Sequence, residues 1–372
     1  MSAFPFEDDP LKHHVRKEVW LPACRKRLDI IRSGNRQRNR RLRYFTFCAT
    51  GAVDVLMLNV ENVLTRSASD RFDTVTFFDL IEEDITETEK NIPGAAGIAG
   101  RFADVVLAAR PEDIIDPLEP PTEEVASLTN LRAAALNGKC KAFVSRFPFD
   151  VINLDLYDYL FKNSEQVPGA LINALRNVFA WQRREIEGYG PLPGFTLFFT
   201  TQIGPIGLND DYQNMLLENM RHNLGELPEL RDLLRTRTGS DDPEHILRTD
   251  FETFFKIAAP KFLVHTLQEQ DWYVDPDEVF SIVEYSREHE AGNYTMLHIA
   301  MQVRRQYPRR ENRPPNTQPD VTDAYRRVVS NIFSQNDPPI TLASIDKNDL
   351  DQHMELIRSR RKKYRKEVGA EE

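Results

Sequence analysis

At 372 residues, with 41% hydrophobic and 28% charged side chains, the chain has ordinary globular proportions and can bury a large core in one elaborated domain or two, which excludes disorder along most of its length. Cys24, Cys48 and Cys140 are widely spaced with no C-x-x-C pair, and the histidines form no H-E-x-x-H or H-x-x-x-H pair, so a disulfide framework and a metal centre are both disfavoured. The net charge of −10 discourages nucleic-acid binding only if it is evenly spread, and it is not.

Basic residues collect in three groups. Lys12, Arg16, Lys17, Arg25, Lys26, Arg27, Arg32, Arg36, Arg38, Arg40, Arg41 and Arg43 lie in the first; Arg304, Arg305, Arg309, Arg310 and Arg313 form the second; Arg358, Arg360, Arg361, Lys362, Lys363, Arg365 and Lys366 form the third. Such clusters can meet the phosphates of DNA or RNA, an acidic protein partner, or only solvent. Of these residues, Arg36, Arg38, Arg40, Arg41 and Arg43 are expected to be exposed and able to contact phosphate. The acidic N-terminus lacks the features of a secretory signal, and no segment has the roughly 20 apolar residues that span a bilayer. A protein of the reducing cytoplasm with no membrane partner is expected.

The opening segment to Arg43 reads as basic helix with a turn at Ser33-Gly34-Asn35. Residues 43–49 are aromatic and β-prone, as in a strand buried on both faces, and from Ala52 the spacing of Val53, Leu56, Met57, Val60 and Val63 is helical. A second strand over 73–78 ends at Asp79, giving the β, α, β alternation of a parallel sheet with crossover helices. Pro93, Gly94, Gly97 and Gly100 predict a loop over 92–102, and residues 103–109 can be strand or short helix. Pro111, Pro117, Pro120 and Pro121 predict an inserted loop before a helix over 123–136.

Residues 150–155 form the clearest buried strand and end in a carboxylate, Asp155. A helix over 170–186 and an apolar strand over 195–201 repeat the crossover unit. The helical pattern of 209–270, in which Ser240-Asp241-Asp242-Pro243 supplies an N-cap and a first-turn proline, reads as an insertion. Strands over 279–285 and 294–304, joined through Gly292-Asn293, predict a closing antiparallel hairpin. A proline-rich linker over 308–319 then leads to helices and a charged C-terminal tail. The expected organisation is a basic helical segment (1–43), an α/β Rossmann-like domain (44–305) with a mostly parallel sheet, a terminal antiparallel hairpin and a helical insertion, and the linker with its tail (306–372).

This order resembles the class I S-adenosylmethionine-dependent methyltransferases over roughly Tyr44 to Arg305. The resemblance implies a cofactor lying across the carboxyl ends of the first strands, in the crevice where strand order reverses. Cys48, Ala49, Gly51 and Asp54 occupy the first strand-to-helix turn, although only Gly51 stands where the family has several glycines. Asp79 matches the acid that accepts hydrogen bonds from the ribose hydroxyls. Gly100 to Asp104 fall near the adenine-contacting segment, with Arg101 in the slot where an acid is common and Asp104 as the nearby carboxylate. Asn153 to Asp158 end the fourth strand, where base-directed amino-methyltransferases carry Asn or Asp, two prolines and an aromatic. The prolines are absent here; Asp155 is the candidate to accept a proton or hydrogen bond from a target amine, and Tyr157 to stack on a flat substrate.

Two functions follow as expectations: a methyltransferase-like protein acting on or with nucleic acid, and a non-catalytic Rossmann-like scaffold subunit of a larger protein assembly. A nucleotide-dependent enzyme is disfavoured because neither G-x-G-x-x-G nor G-x-x-x-x-G-K-[ST] is present.

Overall fold

A computed structural model describes residues 9–33, 40–64, 71–108, 128–156, 160–161, 169–186, 194–204, 208, 210–274, 280–289, 292–305, 321–335 and 337–370. The chain enters through helix α1 (Pro10–Val15), where the Asp9 carboxylate accepts from the backbone N–H of Leu11 at 2.9 Å and Pro10 takes the first turn, in which a missing N–H costs nothing. The helix widens to an i→i+5 turn over Arg16–Trp20 and continues as α2 (Leu21–Ser33).

The alternation then begins: β1 (Tyr44–Thr46), α3 (Val53–Val60), β2 (Val75–Asp79), α4 (Glu82–Asn91), β3 (Ala96–Ala99) and α5 (Phe102–Val106). The expected loop over 92–102 therefore contains a strand, and 103–109 begins as helix. Next come α6 (Leu128–Val144), β4 (Val151–Asp155), α7 (Ala170–Ile186) and β5 (Gly194–Ile203). The inserted block is four helices, α8 (Asp210–Glu226), α9 (Glu229–Thr238), α10 (Pro243–Thr249) and α11 (Phe251–Gln268). Asp242 caps α10 by accepting from the Glu244 N–H at 3.1 Å, with Pro243 behind it. After a short β6 (Trp272–Val274), strands β7 (Phe280–His289) and β8 (Gly292–Arg305) form the antiparallel hairpin, and α12 (Val321–Ser334) and α13 (Lys347–Glu367) follow. The proline-rich segment lies outside the described residues.

The sheet runs β3-β2-β1-β4-β5-β8-β6, with β7 also on β8. β1 to β5 are mutually parallel; β8 is antiparallel to β5, and β6 and β7 pair with successive stretches of it. This is a mixed α/β fold of Rossmann-like, mostly parallel form. Strand order reverses between β1 and β4, and such a reversal opens a crevice at the carboxyl edge of the sheet. The central strands are largely apolar because both faces are covered. Phe45, Phe78, Ile152, Leu154 and Phe199 face one core with residues of α5 to α12; Tyr44, Val75, Phe77, Val151 and Phe198 face another with residues of α1 to α4 and α13. The last helix is thus no solvated tail: Leu350, Met354, Ile357 and Tyr364 bury one stripe of α13, which packs on α3 and α4.

The basic connector before β1 is also built in. Arg40 makes a 2.7 Å ion pair with Asp150, whose other oxygen accepts from the Arg43 N–H at 2.9 Å, and Arg41 pairs with Asp73 at 3.0 Å. The Arg43 guanidinium donates to the Arg146 carbonyl. Asp150 is buried at the root of β4, and burial pushes its pKa up against the pull of Arg40 and Arg27. The expectation that Arg40, Arg41 and Arg43 stand exposed is therefore corrected: they are half-buried and hold acids and carbonyls of this chain. Arg36 and Arg38 lie outside the described residues. Among the described residues no helix is long and apolar enough to cross a membrane.

Candidate functional site

Thr46 of β1 lies level with Phe77 of β2 and Asn153 of β4. Two residues further on, Cys48, Asp79 and Asp155 leave the sheet at one level, on its carboxyl edge. Asp79 and Asp155 flank β1 from the two neighbouring strands, about 10 Å apart at the usual strand spacing.

The turn after β1 is closed on itself. Cys48 and Gly51 are buried, the Ala52 N–H bonds back to the Ala49 carbonyl at 2.8 Å, and Ala52 holds a left-handed φ of 47°. A non-glycine residue in this conformation carries a cost that the surrounding contacts must offset. Asn91 of α4 donates to the Thr50 carbonyl at 2.5 Å, and Arg365 of α13 holds the Asn91 side-chain oxygen at 3.3 Å. Of the turn's expected cofactor contacts, only Ala49 is exposed.

Asp54 is a clear correction. It sits in the first turn of α3, but its carboxylate points into the sheet, accepting from Thr46 Oγ1 at 2.8 Å and Tyr44 Oη at 3.2 Å. Asn153 donates to both hydroxyl oxygens, at 2.9 Å to Tyr44 and 3.2 Å to Thr46. Burial, and then the Asp54 charge, hold the Tyr44 phenol well above its ordinary pKa. This network ties α3 to β1 and β4 and turns the Asp54 carboxylate away from the crevice, into the sheet.

Asp79 is the opposite case. It is half-buried, one oxygen accepts from the Ile81 N–H at 3.2 Å, and among the described residues no cation pairs with it. Burial raises its pKa, partly offset by that N–H. The two residues after it, Leu80 and Ile81, are apolar yet 67% and 49% exposed. Sequence reading missed them; the signal available was a pair of large aliphatics directly after a strand-terminal acid. The Gly100 N–H bonds the Asp79 carbonyl at 2.8 Å, which brings the start of α5 beside it. Gly100 has a φ of 129°, a region L side chains avoid. Arg101 and Asp104 are exposed on that turn, whereas Phe102 packs inward on Phe45, Phe47 and Phe78.

Asp155 is covered by the N-terminal helix. Lys12 Nζ lies 2.5 Å from its carboxylate, with side chains only 13% and 9% exposed. Burial raises the Asp155 pKa, but Lys12, helped by Arg16, outweighs it and the net position is low. Behind the pair, Trp20 Nε1–H donates to His298 Nε2 at 3.0 Å, so the ring proton sits on Nδ1 and donates to Thr200 Oγ1 at 3.0 Å. Burial holds His298 down to about 3, and the ring is neutral. Tyr157 and Asp158 lie outside the described residues. Lys12 was read only as one of a basic run; its contact with a residue on β4 has no local signature.

Among the described residues no group of three or more histidine, cysteine or acidic side chains is placed to hold a metal ion. The family model described as PP_RS20740-like matches residues 122–368, about two thirds of the chain, from before α6 to just past α13. No curated protein and no solved structure matches.

Proposed function

The chain belongs to the PP_RS20740-like family, and we propose that it is an S-adenosylmethionine-dependent methyltransferase-like protein acting on or with nucleic acid. The observation that carries this reading is Asp79, a half-buried carboxylate at the carboxyl end of β2 with no cationic partner among the described residues. A carboxylate kept partly out of water is costly unless donors meet it, and the two hydroxyls of a ribose are donors of the right kind. Leu80 and Ile81 beside it offer apolar surface to a flat ring, and the neighbouring strand-order reversal supplies the crevice.

The residues fit the cofactor at the ribose and ring positions. They fit less well at the first turn, where Ala52 stands in a glycine conformation and Asn91 holds the Thr50 carbonyl. When bound, S-adenosylmethionine brings an already reactive sulfonium methyl, so the chain's task is to align the acceptor in line with it. Asp155 would orient an acceptor amine or take its proton, and doing so requires Lys12 to withdraw from it.

That ion pair favours a second reading, a non-catalytic Rossmann-like scaffold subunit in which the helix that carries Lys12 permanently seals the crevice. Calorimetric titration of the full chain with S-adenosylmethionine and with S-adenosylhomocysteine separates the two. Saturable binding of either supports the cofactor reading, and absence of heat with both supports the scaffold.

A further inference from the structure

We propose that the outward face of the carboxyl-terminal end of α13, formed by Lys362, Lys363 and Lys366, is the surface that meets the phosphate backbone of a nucleic acid. This deepens the nucleic-acid part of the function proposed above and rests on it.

The three basic groups differ in how far their charges are already engaged. In the first basic group Arg40, Arg41 and Arg43 are tied to Asp150, Asp73 and the Arg146 carbonyl. In the second, Arg304 and Arg305 are half-buried in β8 and Arg309, Arg310 and Arg313 lie outside the described residues. The third group is divided by the helix itself. Ile357 and Tyr364 fix the inward stripe, and beside them Arg360 donates to Asn59 at 2.7 Å while Arg365 bonds Glu87. These two arginines dock α13 on α3 and α4. Lys362, Lys363 and Lys366 are exposed on the far side, with Ser359 one turn back.

The acids nearby compensate this face weakly. Lys363 is 3.7 Å from Glu367, a pair between exposed partners, and such pairs contribute little. Among the described residues no acid pairs with Lys362 or Lys366. The helix dipole favours cations at a carboxyl end, but that effect fades beyond the final turn. It accounts for Lys366 and not for Lys362. A basic face on a chain of net charge −10 is placed against the average field of the molecule, and it suits a polyanion whose charges are as closely spaced as those of a nucleic-acid backbone. The inward side of the same turn ties the helix to the candidate crevice: Arg365 holds Asn91, which holds the Thr50 carbonyl.

The test uses the full chain, fluorescence anisotropy, and a labelled 25-nucleotide strand as single-stranded DNA, duplex DNA or RNA, at low and at physiological salt. The variant Lys362→Gln/Lys363→Gln/Lys366→Gln is compared with Lys347→Gln, an exposed lysine at the opposite end of the same helix. The expected result is binding by the unaltered chain, at least a tenfold loss in the triple variant, a salt slope smaller by about 2 to 3 for three lost phosphate contacts, and little change in Lys347→Gln. Equal affinity and equal slope in the triple variant overturn the assignment of this face while leaving nucleic-acid binding in place. Absence of binding to all three strands overturns the nucleic-acid reading itself. Binding by the unaltered chain to vesicles of anionic phospholipid but to no oligonucleotide overturns the proposal in favour of a membrane surface. Titration with S-adenosylhomocysteine reports the cofactor site separately in every variant.

Discussion

Lys12 of the N-terminal helix and Asp155 at the end of β4 form a 2.5 Å ion pair that is almost wholly enclosed, and it fastens the first helix of the chain across the carboxyl edge of the sheet. Taking two charges out of water is costly, so a pair of this kind is stable only while both members are present. Lys12→Met should leave an uncompensated buried carboxylate and destabilise the fold by about 3–5 kcal/mol. Lys12→Met/Asp155→Leu should recover most of that loss. Denaturant unfolding of the three proteins measures both, and a Lys12→Met midpoint equal to the parent's would show that the pair is not closed in solution.

Acid should weaken the fold well above the carboxylate range. Burial holds His13 and His298 down to about 3, whereas in the unfolded chain each titrates near 6.5. Between those values the unfolded chain binds protons that the folded chain refuses, so stability present above pH 6.5 is lost as pH falls towards about 3. Each histidine contributes at most about 1.4 kcal/mol per pH unit within that window. Burial shifts His353 in the same direction, against the pull of Glu61, which lies 3.2 Å from its Nε2; its Nδ1 lies 3.2 Å from His13 Nε2. Thermal unfolding at pH 7.5, 6.0 and 5.0 should show a progressive fall, and His298→Gln should flatten it. A melting temperature independent of pH over that range contradicts the neutral, buried assignment.

The Asp54 network should matter to stability and not to ligand binding. Asp54→Ala strands the Tyr44 and Thr46 hydroxyls on a buried acceptor that is no longer there, a loss of about 1–3 kcal/mol for each group left unsatisfied. Urea unfolding reads the cost. Any S-adenosylhomocysteine affinity should stay within a few-fold of the parent's, and a selective loss of affinity in a stably folded Asp54→Ala protein would return Asp54 to the cofactor site.

The parts of this architecture visible in the amino-acid order are those set by local chemistry. The aliphatic and aromatic runs of β2, β4 and β5 announced buried strands, and Asp242-Pro243 announced the start of α10 within a residue. β3 escaped because Ala96-Gly97-Ile98-Ala99 has almost no side chain to give β-character. Its glycine answers a packing demand: a Cβ at Gly97 would lie 2.9 Å from the Phe77 ring and closer still to Ile85. Three-residue β6 is too short to show a period of 2. The carboxyl-edge placement of Asp79 and Asp155 was legible because each closes an apolar strand. Their different fates were not, since Lys12 is far from Asp155 in sequence and nothing local distinguishes it from Lys17. Asp54 turns inward to the hydroxyls of Tyr44 and Thr46, which belong to the strand just before it, but nothing in the amino-acid order of the turn marks that direction.

The proposed binding of the adenosyl part of S-adenosylmethionine in the crevice beside Asp79 is tested most directly by parallel calorimetric titration of the parent chain and Asp79→Ala with S-adenosylhomocysteine. Removing a charged acceptor from the ribose should cost about 1.5–3 kcal/mol, a weakening of roughly 10- to 150-fold, with the fold intact by circular dichroism. Equal affinity in the two proteins, or no binding by the parent, would contradict it.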